Sequence, residues 1–283
     1  MSFFVYFQYC FNILLIFNVQ SRFAYSCYDC PMMEFNYSLT IDTFPSPTKN
    51  ACRIITAQTG CFVRVNWYNH GISEVFYGTN RGSLLDSVNI EIDRRVSLST
   101  GVYSTIKYID YTCGSSNSSP CNTVENLQRS FRAVTFPLDE QINTYDTLIA
   151  PSKEFTPDSC FYDENMTDVC PKSNKSLCQR CMIIAEFAQT STICAVCPDD
   201  QTVYNFFLYG THFLVTNQTQ LDSILIRCQQ GKQCNSVANV ENIRRDLATQ
   251  FDYDQFFNSK ASTTRLFSMI LPMLVGLASR RLL

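Results

Sequence analysis

The sequence predicts a mainly β chain of two small, disulfide-rich domains, each followed by a short helix. Three observations predict it. The order of cysteines repeats. Strand-like runs fill the spaces between them. Each copy closes on a Cys-Asn step that leads into apolar residues at helical spacing. The first copy reads CYDC at 27–30, Cys52, Cys61 and CGSSNSSPCN at 113–122. The second reads CQRC at 178–181, Cys194, Cys197 and CQQGKQCN at 228–235. Internal repetition at this scale marks two related units in a chain of 283 residues.

The amino end is apolar from Phe3 to Val19, and no Lys or Arg precedes Arg22. The length fits a secretion signal over 1–24, with cleavage expected between residues 21 and 26. Removing it takes Cys10 away and leaves 14 of the 15 cysteines, an even set that can pair completely.

The first domain is expected over 25–136. CFVRVNW (61–67) alternates apolar and polar side chains, and SEVFYG (73–78) follows the turn-like Asn69-His70-Gly71. Together they predict a hairpin. SVNIEI (87–92) and STIKYIDYTC (104–113) alternate partially. In the latter, Ile106, Tyr108 and Asp110 share one face, and Lys107, Ile109 and Tyr111 the other. Val124, Leu127, Phe131 and Val134 then fall on one helical face.

The proline-bearing segment 137–159 reads as a linker, and 160–250 as the second domain. Its helix carries Val237, Val240, Ile243 and Leu247 on one face. VFYGTN (75–80) and FLYGTH (207–212) read as a tyrosine-glycine turn shared by the copies. After a spacer over 251–265, the tail 266–283 opens on LFSMILPMLVGLA, shorter than the roughly 20 residues a spanning helix needs. Small polar residues before a short apolar tail predict a glycosylphosphatidylinositol signal, with attachment at Asn258 or Ser259. A short membrane-associated helix and an ordinary C-terminal helix are the other readings of this tail.

Fifteen cysteines indicate an oxidising compartment. Five acceptor sequons, at Asn36, Asn117, Asn165, Asn174 and Asn217, agree with passage through a secretory route. The expected bridges are Cys27–Cys61, Cys30–Cys52, Cys113–Cys121, Cys178–Cys197, Cys181–Cys194 and Cys228–Cys234. Cys160 and Cys170 most simply pair with each other; otherwise the second domain starts at Cys160 and is cross-linked differently. The spacing of Cys178, Cys181, Cys194 and Cys197 also matches a four-thiolate zinc ribbon. The signal, the sequons and the excess of other cysteines favour disulfides over zinc, and no metal is expected.

The opening CxxC units at Cys27–Cys30 and Cys178–Cys181, with the closing Cys113, Cys121, Asn122 and Cys228, Cys234, Asn235, resemble the Ly6/urokinase-receptor three-finger family. Neither Cys113 nor Cys228 has the adjacent cysteine usual in that family. The resemblance implies two three-finger-like domains, a lipid anchor in many members, and protein partners. It also implies that Asn122 and Asn235 brace the palm from which the loops project.

Nothing in the sequence assembles an enzyme. The two histidines, His70 and His212, lie near expected turns without a neighbouring nucleophile. The acidic pairs Asp163-Glu164, Asp199-Asp200 and Asp252/Asp254 read as solvated loops, and no cofactor motif is present. A net charge of -3 and the isolated pairs Arg94-Arg95 and Arg244-Arg245 argue against nucleic acid. The expected role is non-enzymatic recognition of a protein partner, at the extracellular face of the plasma membrane or in the medium. Trp67, Tyr68 and Phe207 are the contact residues proposed from the aromatic runs, with burial in a core as the competing reading. The alternative is a self-associating cell-coat or matrix glycoprotein.

Overall fold

The computed structural model describes residues 25–79, 86–114, 119–164, 170, 176–188, 190–198, 203–230 and 233–259. The leader, the apolar tail and the sequons at Asn117, Asn165 and Asn174 lie outside these residues.

Alternation builds the first copy. In β4 (Cys61–Tyr68), Cys61, Val63 and Val65 are buried while Phe62, Arg64 and Asn66 are only partly so. The period of two puts one set on each face of the sheet. Asn69-His70-Gly71 turns β4 into β5 (Ser73–Thr79), with Gly71 at φ +75°, as the sequence predicts. The long hairpin β6 (Ser87–Ser97) and β7 (Tyr103–Cys113) follows, and β7 pairs back onto β4 with Cys61 opposite Cys113. Before them, β1 (Tyr25–Asp29) pairs with β3 (Arg53–Ala57) in a small separate sheet, and β2 (Met33–Phe35) edges β5.

The second copy repeats this order. β10 (Cys181–Phe187), β11 (Ser191–Val196), β12 (Tyr204–Leu214) and β13 (Thr219–Cys228) take the places of β4, β5, β6 and β7. Cys181 stands opposite Cys228 as Cys61 stands opposite Cys113. The short β9 (Asp163–Glu164) edges β11 as β2 edges β5.

The two halves join into one sheet of ten strands, ordered β2-β5-β4-β7-β6-β12-β13-β10-β11-β9. The joint is β6 against β12, antiparallel from Ser87↔Leu214 to Ser97↔Tyr204. Matched through their cysteines, Glu91 in β6 corresponds to Gly210 in β12, and these two lie opposite each other. The pairing therefore runs symmetrically outward from that point, as a local two-fold axis requires. A side chain at Gly210 would meet Ser223 Oγ at 2.8 Å, so the centre of the joint takes no larger residue without rearrangement. Both outer edges end in very short strands, which limits pairing with further chains.

Helices cover one face. α1 (Val124–Ala133) buries Leu127 and is capped by Thr123, whose side chain accepts from the Asn126 amide. Its counterpart in the second copy, α4 (Val237–Asp246), buries Val240 and Ile243 and is capped the same way by Ser236. Between them, the segment expected as a linker holds α2 (Asp139–Asn143) and α3 (Asp146–Ile149). It is no free tether, because Ile142 and Ile149 are fully buried in the second copy's core. The expected spacer departs likewise. β14 (Gln250–Phe251) pairs with β8 (Val134–Thr135), and α5 (Tyr253–Asn258) sends Phe256 into the first copy's core.

Each core therefore mixes the copies. Phe213, Val215 and Phe256 join Val63, Ile109 and Leu127; Ile92, Val96, Ile142 and Ile149 join Ile183, Phe207 and Val240. The result is a mainly β, disulfide-rich protein of two β units, each followed by a helix, whose units are not independent.

Among the described residues, seven bridges staple it. Cys27–Cys61, Cys30–Cys52, Cys113–Cys121, Cys178–Cys197 and Cys228–Cys234 match the expected pairs. Two pairs differ. Cys160 bonds Cys181, not Cys170, and Cys170 bonds Cys194, which was expected to bond Cys181. The reason is positional: Cys160–Cys181 occupies the place of Cys27–Cys61, so the second unit opens at Cys160. The CxxC at 178–181 imitates an opening pair, but Cys178 belongs to an added bridge. The tyrosine-glycine match also fails, since Tyr77-Gly78 lies in β5 and Tyr209-Gly210 in β12, neither at a turn. Non-reducing peptide mapping should recover Cys160 linked to Cys181 and Cys170 linked to Cys194. A Cys160–Cys170 peptide would contradict this arrangement.

Candidate functional site

The closing Cys-Asn steps do the same structural work twice. Asn122 is fully buried; its Oδ1 accepts from the Tyr28 amide at 2.9 Å. Its Nδ2 donates to the carbonyls of Tyr28 at 2.8 Å, Phe62 at 3.0 Å and Gly78 at 3.3 Å. Asn235 repeats the set: Oδ1 accepts from the Phe161 amide at 2.8 Å, and Nδ2 donates to Phe161 at 2.8 Å and Met182 at 3.0 Å. A buried amide side chain is costly unless its donors and acceptors are met; Asn122 closes backbone groups of β1, β4 and β5, and Asn235 those of Phe161 and β10. These asparagines tie the start of each unit to its β4 or β10 strand. They are structural, with no free atom to offer a ligand.

The sulfurs that crowd together are cystines. Cys61, Cys113 and Cys121 lie within 4.8 Å of one another, as do Cys160, Cys178 and Cys197. Every one of them is bonded. The zinc-ribbon spacing therefore leaves no set of four thiolates, because Cys178, Cys181, Cys194 and Cys197 go into three different bridges.

The three aromatic contact residues separate. Phe207 is fully buried in the second core, against the Tyr145 ring at 5.8 Å. Trp67 packs on Phe131 at 5.5 Å, Phe136 at 6.1 Å and Phe44 at 6.2 Å, and its Nε1 donates to the Leu39 carbonyl at 2.9 Å. Phe207 is a core residue, so its expected contact role is corrected; Trp67 is half-buried, packed on the first core and left at its edge. The cause is strand parity: odd positions in β4 and β12 face the helices. Tyr68 faces outward at the end of β4, and its hydroxyl donates to Glu74 at 2.6 Å.

Trp67 and Tyr68 nevertheless border a cleft of about 660 Å³, with Ser38, Asn69, Gly71, Arg94, Tyr103, Thr105, Lys107, Asp139 and Asn143 around it. That volume lies within the usual range for a ligand cleft. Its charges are matched internally. Arg94, buried, donates from Nε and Nη2 to both Asp146 oxygens at 2.8 and 2.7 Å, and from Nη1 to Thr105 at 2.8 Å. Lys107 Nζ meets Asp139 at 2.6 Å. The cleft is polar with its ionic charge spent. In the sequence Arg94 stood only as half of a basic pair too small for a nucleic-acid surface. Its parity with Ile92 and Val96 carries the missed signal: a lone cation on an apolar strand face needs a buried partner.

The other face of the sheet has a different make-up. The buried side chains of the helices belong to the two cores on the helix side. Opposite them, Phe62 and Phe76 flank a hollow of about 380 Å³ with Arg64, Asn66, Thr79, Asp110 and Thr112. Arg64 pairs with the buried Asp110 at 2.7 Å and lies over the Tyr108 ring at 4.4 Å. Burial raises the Glu91 carboxyl above its ordinary range, while the Tyr108 hydroxyl, donating at 2.7 Å, holds the rise back. Along the same face the second unit turns apolar, with Phe206, Leu208, Leu225 and Ile184 half-buried.

His212 sits on this face beside Asn89, and burial lowers its pKa against the opposing pull of Asp110. His70 is exposed at the β4–β5 turn. Neither has a nucleophile bonded to it among the described contacts. Asp252 caps α5 by accepting from the Gln255 amide at 2.8 Å. Asn258 ends α5 and Ser259 caps it, donating to the Gln255 and Phe256 carbonyls. Asn36 is exposed, and Asn217 is exposed in the β12–β13 turn.

No family model, curated protein or solved structure matches the chain.

Replacing Phe207 or Trp67 by Ala should cost about 3–5 kcal/mol, as large-to-small core changes do, measured by denaturant unfolding. Tyr68→Ala should cost under about 1 kcal/mol, as an outward-facing position does. Equal losses at all three positions would contradict this assignment.

Proposed function

We propose that this chain is a non-enzymatic extracellular recognition protein, held at the cell surface through its C-terminal tail by a lipid anchor, that binds a protein partner. One observation carries the reading. On the sheet face turned away from the helices, Phe62 and Phe76 flank the paired Arg64 and Asp110, and farther along the same face Phe206, Leu208 and Leu225 are half-buried. Aromatic and arginine side chains set in apolar surroundings are the residues that dominate protein interfaces. Seven bridges hold the strands beneath them, so little ordering remains to oppose binding. The paired cysteines of the described residues and the exposed sequons at Asn36 and Asn217 support an extracellular setting.

The mirrored units and the paired asparagines are also what a tandem of the three-finger family would use. In each unit a small bridged pair of strands or loop is followed by two hairpins, closed by a Cys-Asn step. We read the chain as a divergent tandem of that kind in which two palms have fused edge to edge.

Expression of the full chain in a secretory animal host tests the proposal. Phosphatidylinositol-specific lipase should release it from the cell surface. Phe206→Ser with Leu208→Arg should leave secretion and melting unchanged while abolishing surface-proximity labelling of the partner that the wild type labels. Retention inside the cell, or undiminished labelling by the double variant, would refute the proposed placement or the proposed face, respectively. Concentration-dependent oligomers removed by the same variant would favour self-association.

A further inference from the structure

The cleft bordered by Trp67 and Tyr68 also has a sequon at its rim. Ser38, one of the residues around it, is the hydroxyl residue of the sequon Asn36-Tyr37-Ser38. We propose that the cleft seats the first sugars of the chain's own N-linked glycan, carried by Asn36. This rests on the extracellular reading above, since the glycan is added only on a secretory route.

Position comes first. The chain beside the sequon is fixed, because the Leu39 amide donates to Ser73 Oγ at 3.0 Å and the Leu39 carbonyl accepts from Trp67 Nε1 at 2.9 Å. Leu39 is itself buried, while Asn36 and Ser38 are exposed. Two residues of chain span at most roughly 7 Å, so a sugar on Asn36 begins within one sugar's length of Ser38.

Chemistry comes second. An N-acetylhexosamine is uncharged, with apolar ring faces, hydroxyls and one acetamide. A matching site needs aromatic surface, amides and hydroxyls, and no unspent charge. The cleft supplies Trp67 and Tyr103 as rings, and Asn69, Asn143, Thr105 and Ser38 as polar partners. Its Arg94, Lys107 and Asp139 are held in ion pairs, so a small anion or cation would have to break one of them. A neutral, hydroxyl-rich ligand does not. Asn143 ends α2 in the crossing segment, so a seated glycan would also touch the element that ties the first unit to the second.

Asn217 provides the internal control. It is exposed in the β12–β13 turn and absent from the lining of this cleft. The full chain, secreted from a glycosylating host, is digested with a peptide N-glycosidase, and release at each site is followed by glycopeptide mass. If the glycan is docked about 90% of the time, release at Asn36 should be roughly ten-fold slower than at Asn217 in the folded protein. The two rates should converge after reduction and denaturation. Asn69→Ala with Asn143→Ala, with melting unchanged, should restore fast release at Asn36; Ser38→Thr, which keeps the sequon, should retain the glycan.

An unmodified Asn36, equal release at Asn36 and Asn217, or slow release indifferent to the double variant would each overturn the proposal. Glycan missing from all five sequons would instead overturn the extracellular reading on which it rests.

Discussion

The pairing of β6 with β12 is the constraint on which the rest of the structure depends. Eleven residues of each strand lie in register, and each unit's free sheet edge is satisfied by the other's. An unpaired edge of that length, carrying Ile90, Ile92 and Val96 on its inner face, would be a template for aggregation. Pairing removes that hazard and brings the inner faces of both strands over shared ground. Phe213 and Val215 pack with the first unit, and Ile92 and Val96 with the second. The crossing segments then become intelligible. Once the sheet is continuous, the chain leaving α1 lies over the second unit and the chain leaving α4 lies over the first. β8 and β14 meet where the two paths pass.

Bridges and asparagines act at a shorter range. A small unit with little core of its own cannot offset the conformational entropy of its loops, and each cystine reduces that entropy by about 2–4 kcal/mol in the unfolded chain. The common bridges, Cys27–Cys61 with Cys160–Cys181 and Cys113–Cys121 with Cys228–Cys234, sit at the same end of each unit's strands. Asn122 and Asn235 close the backbone groups that meet there. Those ends are rigid by construction. What varies between the units lies away from them: an apolar open face in the second, a charged hollow and a lined cleft in the first.

Much of this was legible in the sequence where a local rule governs. Alternation located β4 and, in part, β6 and β7, Asn69-His70-Gly71 marked the β4–β5 turn, and helical spacing placed α1 and α4 with Leu127, Val240 and Ile243 inward. Where two local signals competed, the sequence misled. Cys178 and Cys181 have the spacing of Cys27 and Cys30, yet the residue equivalent to Cys27 is Cys160, hidden behind an insertion bearing its own bridges. Tyr77-Gly78 and Tyr209-Gly210 agree in letters and occupy different strands. Long-range facts left almost no trace. Nothing local separates Phe206 from Phe207, which face opposite sides of the sheet. Nothing near Ile142 or Phe256 says that each packs into the unit to which it does not belong. Arg94 is the exception, since its parity already demanded the partner that Asp146 supplies.

Amide hydrogen exchange across β6, β7, β12 and β13 in the oxidised, full-length protein tests the continuous sheet most directly. If the two units share it, the hydrogen-bonded amides of β6 and β12 exchange as slowly as those of the interior strands β7 and β13, opening only with the whole molecule. If β6 and β12 exchange quickly while β7 and β13 stay protected, each unit ends at its own exposed edge, and the fused architecture is wrong.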